Sequence, residues 1–179
     1  MAENTYIIGS LIKFSVEFCK GRDINLDNIN IPSNVEDDKW YDFDIFMKIV
    51  KEIEKQNNVL GIEELGKTYF FVLDTKDYLK DVSKLKTAVG KMYNIYQLFF
   101  NGERSGIWRA EDISHSGYIR IKENSILPPY FTKGFLTSVS KAIGCVAVRV
   151  KIVEDMREDR GENESEMNIY DISWMNKIK

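Results

Sequence analysis

The chain is short of the residue types on which most enzymes and metal sites depend. Its 179 residues include one histidine and two cysteines, Cys19 and Cys145, which stand alone in apolar stretches. Structural zinc sites need clustered Cys and His ligands, and no CxxC spacing is present. Phosphate-binding glycine loops and the HExxH and GxSxG patterns are absent as well. We therefore expect no metal site, no enzymatic activity, and cysteines that are buried and inert.

An excess of charge of one sign and long apolar runs are also missing. Lys and Arg number 25 against 28 Asp and Glu, a net charge of -3, so nucleic acid is not an expected partner. No apolar run approaches the roughly 18 residues of a membrane span. The N-terminus lacks the basic region and the small-residue cleavage site of a signal peptide. Together these absences predict a soluble, cytoplasmic protein.

Apolar residues at helical spacing predict helices in the first half of the chain. The hydrophobic content of 44% is enough to bury a sizeable core, and we expect one domain over residues 1–179. A first helix carries an apolar face from Ile7 to Phe18 and ends at Gly21, and a second begins after Asp42. A shorter third helix is predicted in "GIEELGKTYFFVL". The strongest periodicity lies in "DYLKDVSKLKTAVGKMYNIYQLFF", which predicts a central helix.

After Gly102, apolar and polar residues alternate along the chain, and the helical spacing of apolar residues stops. The stretches "GIWRAEDI" and "GYIRIKE" predict two strands, and the intervening "SHSG" favours a hairpin turn that places His115 at its tip, facing water. A helix from Pro128 to Gly144 and two strands, "CVAVRVKIV" and "NIYDISW", follow. The charged segment between these strands predicts a solvated loop. The fold class is therefore α+β, with N-terminal helices packed on a four-stranded antiparallel sheet and β-β-α-β-β order in the C-terminal half.

This layout resembles a superfamily of ligand-binding domains. The most recognisable part is "PPYFTKGFLTSVSKAIGCVAVRVKI" followed by a charged loop and "NIYDISW", with Gly134 inside the helix, Gly144 ending it and Trp174 in the last strand. The superfamily includes the haem nitric-oxide/oxygen-binding sensors, four-vinyl-reductase-type domains and trafficking-complex subunits. The resemblance implies a sensory or regulatory domain, closest to a bacterial signalling-associated branch that does not bind haem.

Two departures from the haem sensors shape the functional expectation. The resemblance implies an iron-ligating histidine on the long helix before the sheet, but that helix offers only Met92, Tyr93 and Tyr96. The Tyr-x-Ser-x-Arg clamp for the haem propionates is not intact, since Tyr118 and Arg120 have the wrong spacing. We therefore expect no cofactor and regard haem as disfavoured.

Three functional hypotheses remain open. The leading one is a non-enzymatic sensor that binds an apolar small molecule or lipid in a cavity between helices and sheet, because ligand pockets are mostly apolar. The expected lining residues are Met92, Tyr93, Tyr96, Phe131 and Phe135. The competing interpretation is that side chains fill this space.

The other two hypotheses differ in class from the first. In one, the chain is a protein-interaction or dimerisation scaffold with a filled core, and Trp40 and Tyr41 form its interaction surface. In the other, it is a haem gas sensor that ligates iron through methionine or tyrosine, as both residue types can.

Overall fold

A computed structural model describes residues 5–72, 79, 82, 84–102, 106–111, 117–153 and 167–175 of the chain. The helices within these residues are α1 (Gly9–Lys20), α2 (Phe43–Val72), α3 (Leu85–Gln97) and α4 (Pro129–Ala142). The strands are β1 (Tyr6–Ile8), β2 (Trp40–Asp42), β3 (Phe100–Asn101), β4 (Trp108–Glu111), β5 (Tyr118–Glu123), β6 (Val146–Ile152) and β7 (Asn168–Met175). The predicted turn at His115 and the predicted loop over 154–166 lie outside the described residues.

The larger sheet confirms the predicted α+β class and strand order. Its four strands are antiparallel in the order β4-β5-β7-β6, with α4 inserted between β5 and β6 in the chain. Alternate residues of β5 and β7 point into the core, so that Ile119 faces Ile172 and Ile121 faces Tyr170 across the pair. This alternation is the expected behaviour of a sheet with one buried face.

A second, smaller sheet was not predicted from the sequence. Its order is β2-β1-β3, all antiparallel, and β1 occupies the position where the first turn of a helix was expected. Ile7, predicted as helical, is instead the fully buried centre of β1. Helix α1 begins at Gly9, where a Cβ atom would lie only 1.9 Å from the Glu36 carbonyl oxygen. The close approach of this distant loop therefore requires glycine at the first position of α1.

Two predicted helices form one segment, α2, that breaks at a single residue. Asn58 has φ 55° and ψ -169°, a conformation outside the helix. Asparagine tolerates positive φ better than most residues. Its Oδ1 atom accepts a hydrogen bond from the Leu60 N–H at 2.8 Å, so it caps the second half of α2.

Helix α3 is shorter than the periodic pattern suggested. The helix spans Leu85–Gln97, and Leu85, Val89, Met92 and Tyr96 lie on its buried face. Val82 is buried before the helix begins, and Tyr78 lies outside the described residues. The apolar spacing thus identified the buried face of α3 but overestimated the length of the helix.

Helices α2 and α4 approach each other unusually closely through two glycines. A Cβ atom on Gly66 would lie 2.1 Å from the Phe131 carbonyl oxygen, and one on Gly134 would lie 2.0 Å from that of Glu63. The Glu63 carboxylate receives the ammonium groups of Lys67 at 2.7 Å and Lys133 at 2.6 Å. Burial alone would raise the pKa of Glu63, but these two lysines lower it. The contact therefore combines backbone proximity with an ion triad.

Candidate functional site

A small apolar cavity lies where α2, α3, α4 and β4 converge. The space in which the centre of a water-sized sphere can move is about 10 Å³, which is roughly enough for one water molecule. Its wall is formed by apolar atoms of the following residues: Tyr69, Ile95, Tyr96, Phe99, Phe100, Trp108, Leu127, Phe131, Thr132 and Phe135.

Aromatic rings fill most of the space around this cavity. Tyr69, from the end of α2, packs against Phe131 of α4 and against Phe99, each with ring centroids 5.6 Å apart. Tyr96 of α3 lies 4.5 Å from Phe100 by the same measure. Tilted and edge-on contacts of this kind stabilise a core beyond simple area burial. The competing sequence-based interpretation, a space filled by side chains, therefore describes most of this volume.

Buried polar atoms without hydrogen-bond partners gather at the same place. Among the described residues they are Tyr69 Oη, Tyr96 Oη, Trp108 Nε1, Ser125 Oγ and Thr132 Oγ1. Four of these five residues also line the cavity. The surface that these residues present to the cavity is nevertheless apolar, so their polar atoms do not face into it.

The two cavity tyrosines are protonated donors. Burial raises the pKa of Tyr69 well above its usual value, and the neighbouring Tyr96 adds to the rise. Burial likewise raises the pKa of Tyr96. Tyr96 lies near Ser125 and the Leu127 backbone, which moderate that rise, but it makes no hydrogen bond of ordinary geometry to them.

A fully buried carboxylate, Glu123 at the end of β5, lies beside the cavity. Its Oε1 atom accepts hydrogen bonds from Tyr170 Oη at 2.9 Å and from Asn168 Nδ2 at 3.0 Å, and its Oε2 atom accepts one from the Ser125 N–H. Burial raises the pKa of Glu123, while these donors oppose the rise. Glu123 is the cross-strand partner of Trp108, and this pairing places the Glu123 carboxyl group beside the cavity wall.

Only some of the residues predicted to line a pocket lie on the wall of the cavity. Tyr96, Phe131 and Phe135 lie on the cavity wall. Met92 is buried on the same face of α3 but is not part of that wall. Tyr93 is 46% exposed, and its Oη accepts a hydrogen bond from Gln97 Nε2 at 2.7 Å, because position 93 faces away from the core. Any role of these five residues in binding stays a prediction.

The residues predicted as an interaction surface lie in β2. Trp40 is 41% exposed, whereas Tyr41 is half-buried and its Oη accepts a hydrogen bond from the Glu36 N–H at 2.8 Å. The register pairs Trp40 with Ile8 and Asp42 with Tyr6, so Trp40 and the exposed Tyr6 share the outer face of the small sheet. Tyr41 points to the other face.

Several site residues were missed by sequence reasoning. Tyr69 and Trp108 were assigned only to a helix and a strand, and Leu127, Thr132 and Glu123 were not named as site residues. One signal was available: a glutamate stands in the core-facing phase of β5, after Ile119 and Ile121. A carboxylate in that phase is unusual, because charged residues are almost never fully buried without partners.

The arrangement of helices and sheets is an H-NOX-like fold. An H-NOX protein triple mutant from S. oneidensis in the Fe(II) ligation state superposes with a TM-score of 0.72 at 12% identity, covering 97% of this chain and 98% of that one. The unliganded Fe(II) H-NOX protein from K. algicida gives a TM-score of 0.70 at 8% identity, covering 97% and 99%. An H-NOX structure from work on haem distortion gives 0.64 at 16% identity, covering 96% and 94%. At these identities the likeness establishes the fold alone.

Sequence comparison adds no assignment to this likeness. No family model matches the chain, and no curated protein matches it.

The expectation that the chain takes no cofactor is wrong, because the fold it adopts is one that carries haem. The similar structures are H-NOX proteins solved in the Fe(II) state or in work on haem distortion. In this structure, however, the residues do not fit a haem. The cavity holds about one water molecule, and α3 contains no histidine. Entry of a haem would require the side chains between α3 and α4 to separate.

No group of three or more His, Cys, Asp or Glu side chains is placed to hold a metal ion in the part of the chain that the structure describes. No helix of the described residues is long and apolar enough to cross a membrane.

Proposed function

We propose that this chain is a non-enzymatic sensory domain that responds to a small apolar molecule held between α3, α4 and the sheet. The observation that carries the proposal is the apolar cavity at the junction of α2, α3, α4 and β4. The H-NOX-like fold supports it, since the similar structures belong to H-NOX proteins. An apolar cavity stays dry and accepts apolar guests, because its wall offers no hydrogen-bond partner to a water molecule.

The first test uses xenon, an apolar probe somewhat larger than a water molecule. We expect xenon to shift the NMR signals of residues on the cavity wall, such as Ile95 and Leu127. Leu127→Phe fills the cavity and should abolish these shifts. Leu98→Phe is the matched control, because Leu98 is 36% exposed and lies outside the wall. Equal xenon shifts in the wild type and in Leu127→Phe would contradict the proposal.

The natural ligand is sought in the same preparations. Native mass spectrometry of the gently purified full chain should reveal a bound small molecule that Leu127→Phe loses and Leu98→Phe retains. Reconstitution with haem, followed by inspection for a Soret band, tests whether the cavity opens to a cofactor that the fold carries in other proteins. A band that is present in the wild type and absent in Leu127→Phe would place the haem at this site.

A second function, a scaffold that pairs through its surface, is favoured by one observation. Trp40 and Tyr6 leave two aromatic side chains exposed on the outer face of the small sheet, in diagonal cross-strand positions. Aromatic residues are enriched in protein interfaces. We propose a second copy of this chain as the partner in this alternative, with β2 at the edge of the sheet.

Sedimentation at increasing protein concentration tests this pairing. The wild type should self-associate, and Trp40→Ser should weaken that association by about tenfold or more, as loss of a central tryptophan commonly does. Tyr93→Ser removes a comparably exposed aromatic residue from α3 and should leave association unchanged. A wild-type chain that is monomeric at every concentration would rule the pairing out.

A further inference from the structure

The face of the larger sheet that points away from the core is basic. Alternate residues of its strands point to this outer face, because the positions between them, such as Ile119, Ile121 and Ile172, enter the core. The charged side chains of the outer face are Arg109, Glu111, Arg120, Lys122, Arg149, Lys151 and Asp171. Five are cationic and two are acidic, although the whole chain has a net charge of -3. The outer face therefore differs in sign from the rest of the protein.

The charges in the middle of the outer face neutralise one another. Arg120 Nε and Nη2 donate hydrogen bonds to the two carboxylate oxygens of Asp171, at 2.7 and 2.9 Å. Lys122 Nζ lies 2.9 Å from Glu111 Oε1. These pairs join β5 to its two neighbours, β7 and β4. Both acidic groups of the outer face are therefore already engaged by cations of the central strand.

Three cations on the outermost strands of this sheet have no such partner. Arg109 lies on β4 at one edge of the order β4-β5-β7-β6, and Arg149 and Lys151 lie on β6 at the other. All three are exposed, and within the described residues none of them forms an ion pair. Arg109 stands directly across from Lys122, and like charges in that position destabilise a sheet. An anionic group from outside the chain would relieve this repulsion.

The arrangement of charges favours a protein as the source of the anionic groups. The strands β4 and β6 are separated by three strand spacings, about 14 Å, and the carboxylates of Glu111 and Asp171 lie among the cations. A nucleic acid carries a charge every few ångströms along its length, so its phosphates would approach these two carboxylates. Separate Asp or Glu side chains can instead occupy the edge positions alone, and guanidinium groups bind carboxylates through two parallel hydrogen bonds.

We propose that the outer face of the larger sheet docks an acidic segment of a partner protein, whose carboxylates pair with Arg109 at one edge and with Arg149 and Lys151 at the other. The apolar cavity lies on the inner side of the sheet, beside Trp108. The docking surface is therefore independent of whether that cavity binds a small molecule. Charge pairs at a surface contribute mainly to the rate and specificity of association and are screened by salt, so the complex should weaken as the salt concentration rises.

Three fluorescently labelled probes test the charge and the class of the partner. The first is a twelve-residue peptide of alternating Glu and Thr, the second has Gln in place of every Glu, and the third is a twelve-nucleotide oligothymidine. Each is titrated into the full chain and followed by fluorescence anisotropy. At about 50 mM salt we expect the Glu peptide to bind, the Gln peptide not to bind, and oligothymidine to bind more weakly than the Glu peptide; about 300 mM salt should release the Glu peptide.

The matched variants remove two positive charges from different surfaces. Arg149→Gln/Lys151→Gln removes them from the outer face, and Lys48→Gln/Lys51→Gln removes them from α2, where both lysines are exposed and form no ion pair with another described residue. The first variant should weaken binding of the Glu peptide by up to about tenfold, since each exposed ion pair contributes a small amount. The second should leave binding unchanged. Arg109→Gln repeats the test at the other edge of the sheet.

The location of binding is read from NMR signals of the outer face. The Glu peptide should shift the backbone amide signal of Ser173, which lies directly across from Arg149 on β7. If Arg149→Gln/Lys151→Gln binds the Glu peptide as the wild type does, if both double variants weaken it equally, or if oligothymidine binds as tightly as the Glu peptide, the proposal is overturned. A Glu peptide that does not bind at low salt also overturns it, and the edge cations then serve to keep β4 and β6 from pairing with other chains.

Discussion

The variant Gly134→Ala should lower the free energy of unfolding by about 3 kcal/mol, near the upper end of the usual cost of overpacking. The added methyl group would sit 2.0 Å from the Glu63 carbonyl oxygen and 2.9 Å from the Lys67 backbone nitrogen. Both neighbours are backbone atoms of α2, which cannot turn aside as a flexible side chain can. The two helices would have to separate, and the ion triad of Glu63 with Lys67 and Lys133 would be strained with them.

The control for this prediction is the same substitution in an open helical position. Gly90 lies within α3, is exposed, and would place a Cβ atom with nothing within 4 Å. Gly90→Ala should therefore raise the free energy of unfolding by roughly 0.5–1 kcal/mol, since alanine is the better helix former. Urea unfolding of the two variants beside the wild type measures the contrast. Similar stability of both would show that α2 and α4 do not approach as closely as described.

The close approach also bears on the cavity. Gly66 makes the reciprocal contact, with a hypothetical Cβ atom 2.1 Å from the carbonyl oxygen of Phe131, a residue of the cavity wall. The two glycines thus fix how far α4 stands from α2, and with it the width of the space between them. Close packing transmits such displacements because interiors contain few voids to absorb them.

The variant Glu123→Ala should lower the free energy of unfolding at neutral pH by about 3 kcal/mol. Truncation leaves Tyr170 Oη, Asn168 Nδ2 and the Ser125 N–H without their acceptor in a buried region, and each unpaired group costs roughly 1–3 kcal/mol. Removal of a costly buried charge offsets part of that loss. Glu111→Ala is the matched control, because Glu111 lies in the neighbouring strand, is exposed, and forms an ion pair with Lys122 at 2.9 Å. That control should lose no more than about 1 kcal/mol.

The pH dependence provides an independent check on Glu123. Its pKa in the folded protein is raised above the ordinary value of 4.5, so the folded state binds this proton more tightly than the unfolded state does. The contribution of Glu123 to the free energy of unfolding is therefore largest below pH 4.5 and decreases as the pH rises through the folded-state pKa. Glu123→Gln, which does not titrate, should lose this decrease. If the wild type and Glu123→Gln show the same pH profile, the Glu123 carboxyl is not titrating from a buried position.

The strand order and the buried faces could be predicted because they follow from local pattern. The alternation in "GYIRIKE" and "NIYDISW" specifies which side chains of β5 and β7 enter the core, and Pro128, Pro129 and Gly144 bracket α4 with residues that start and stop helices. Spacing on α3 identified Tyr96 as buried, and spacing on α4 identified Phe131 and Phe135 as its inner face. These properties depend on the periods of the backbone, which are visible in any short window.

The small sheet and the site depended on contacts between distant segments. Strand β1 pairs with β2 and with β3, which lies more than ninety residues further along the chain, so no local signal distinguishes it from the first turn of a helix. The cavity brings Tyr69 of α2 beside Tyr96 of α3 and Thr132 of α4, and its size depends on how completely the rings of Tyr69, Phe99 and Phe131 interdigitate.

What the sequence alone determined is therefore the α+β class, the order of the C-terminal strands and the identity of most inward-facing residues, because hydrophobic burial acts on periodic local patterns. What only the tertiary structure decided is which buried groups lack partners. Glu123 is satisfied by Tyr170 and Asn168 of a strand more than forty residues away, while Tyr69 and Trp108 remain unpaired. Pairing of a buried polar group is a property of the three-dimensional neighbourhood, since each donor needs an acceptor within about 3 Å whatever its position in the chain.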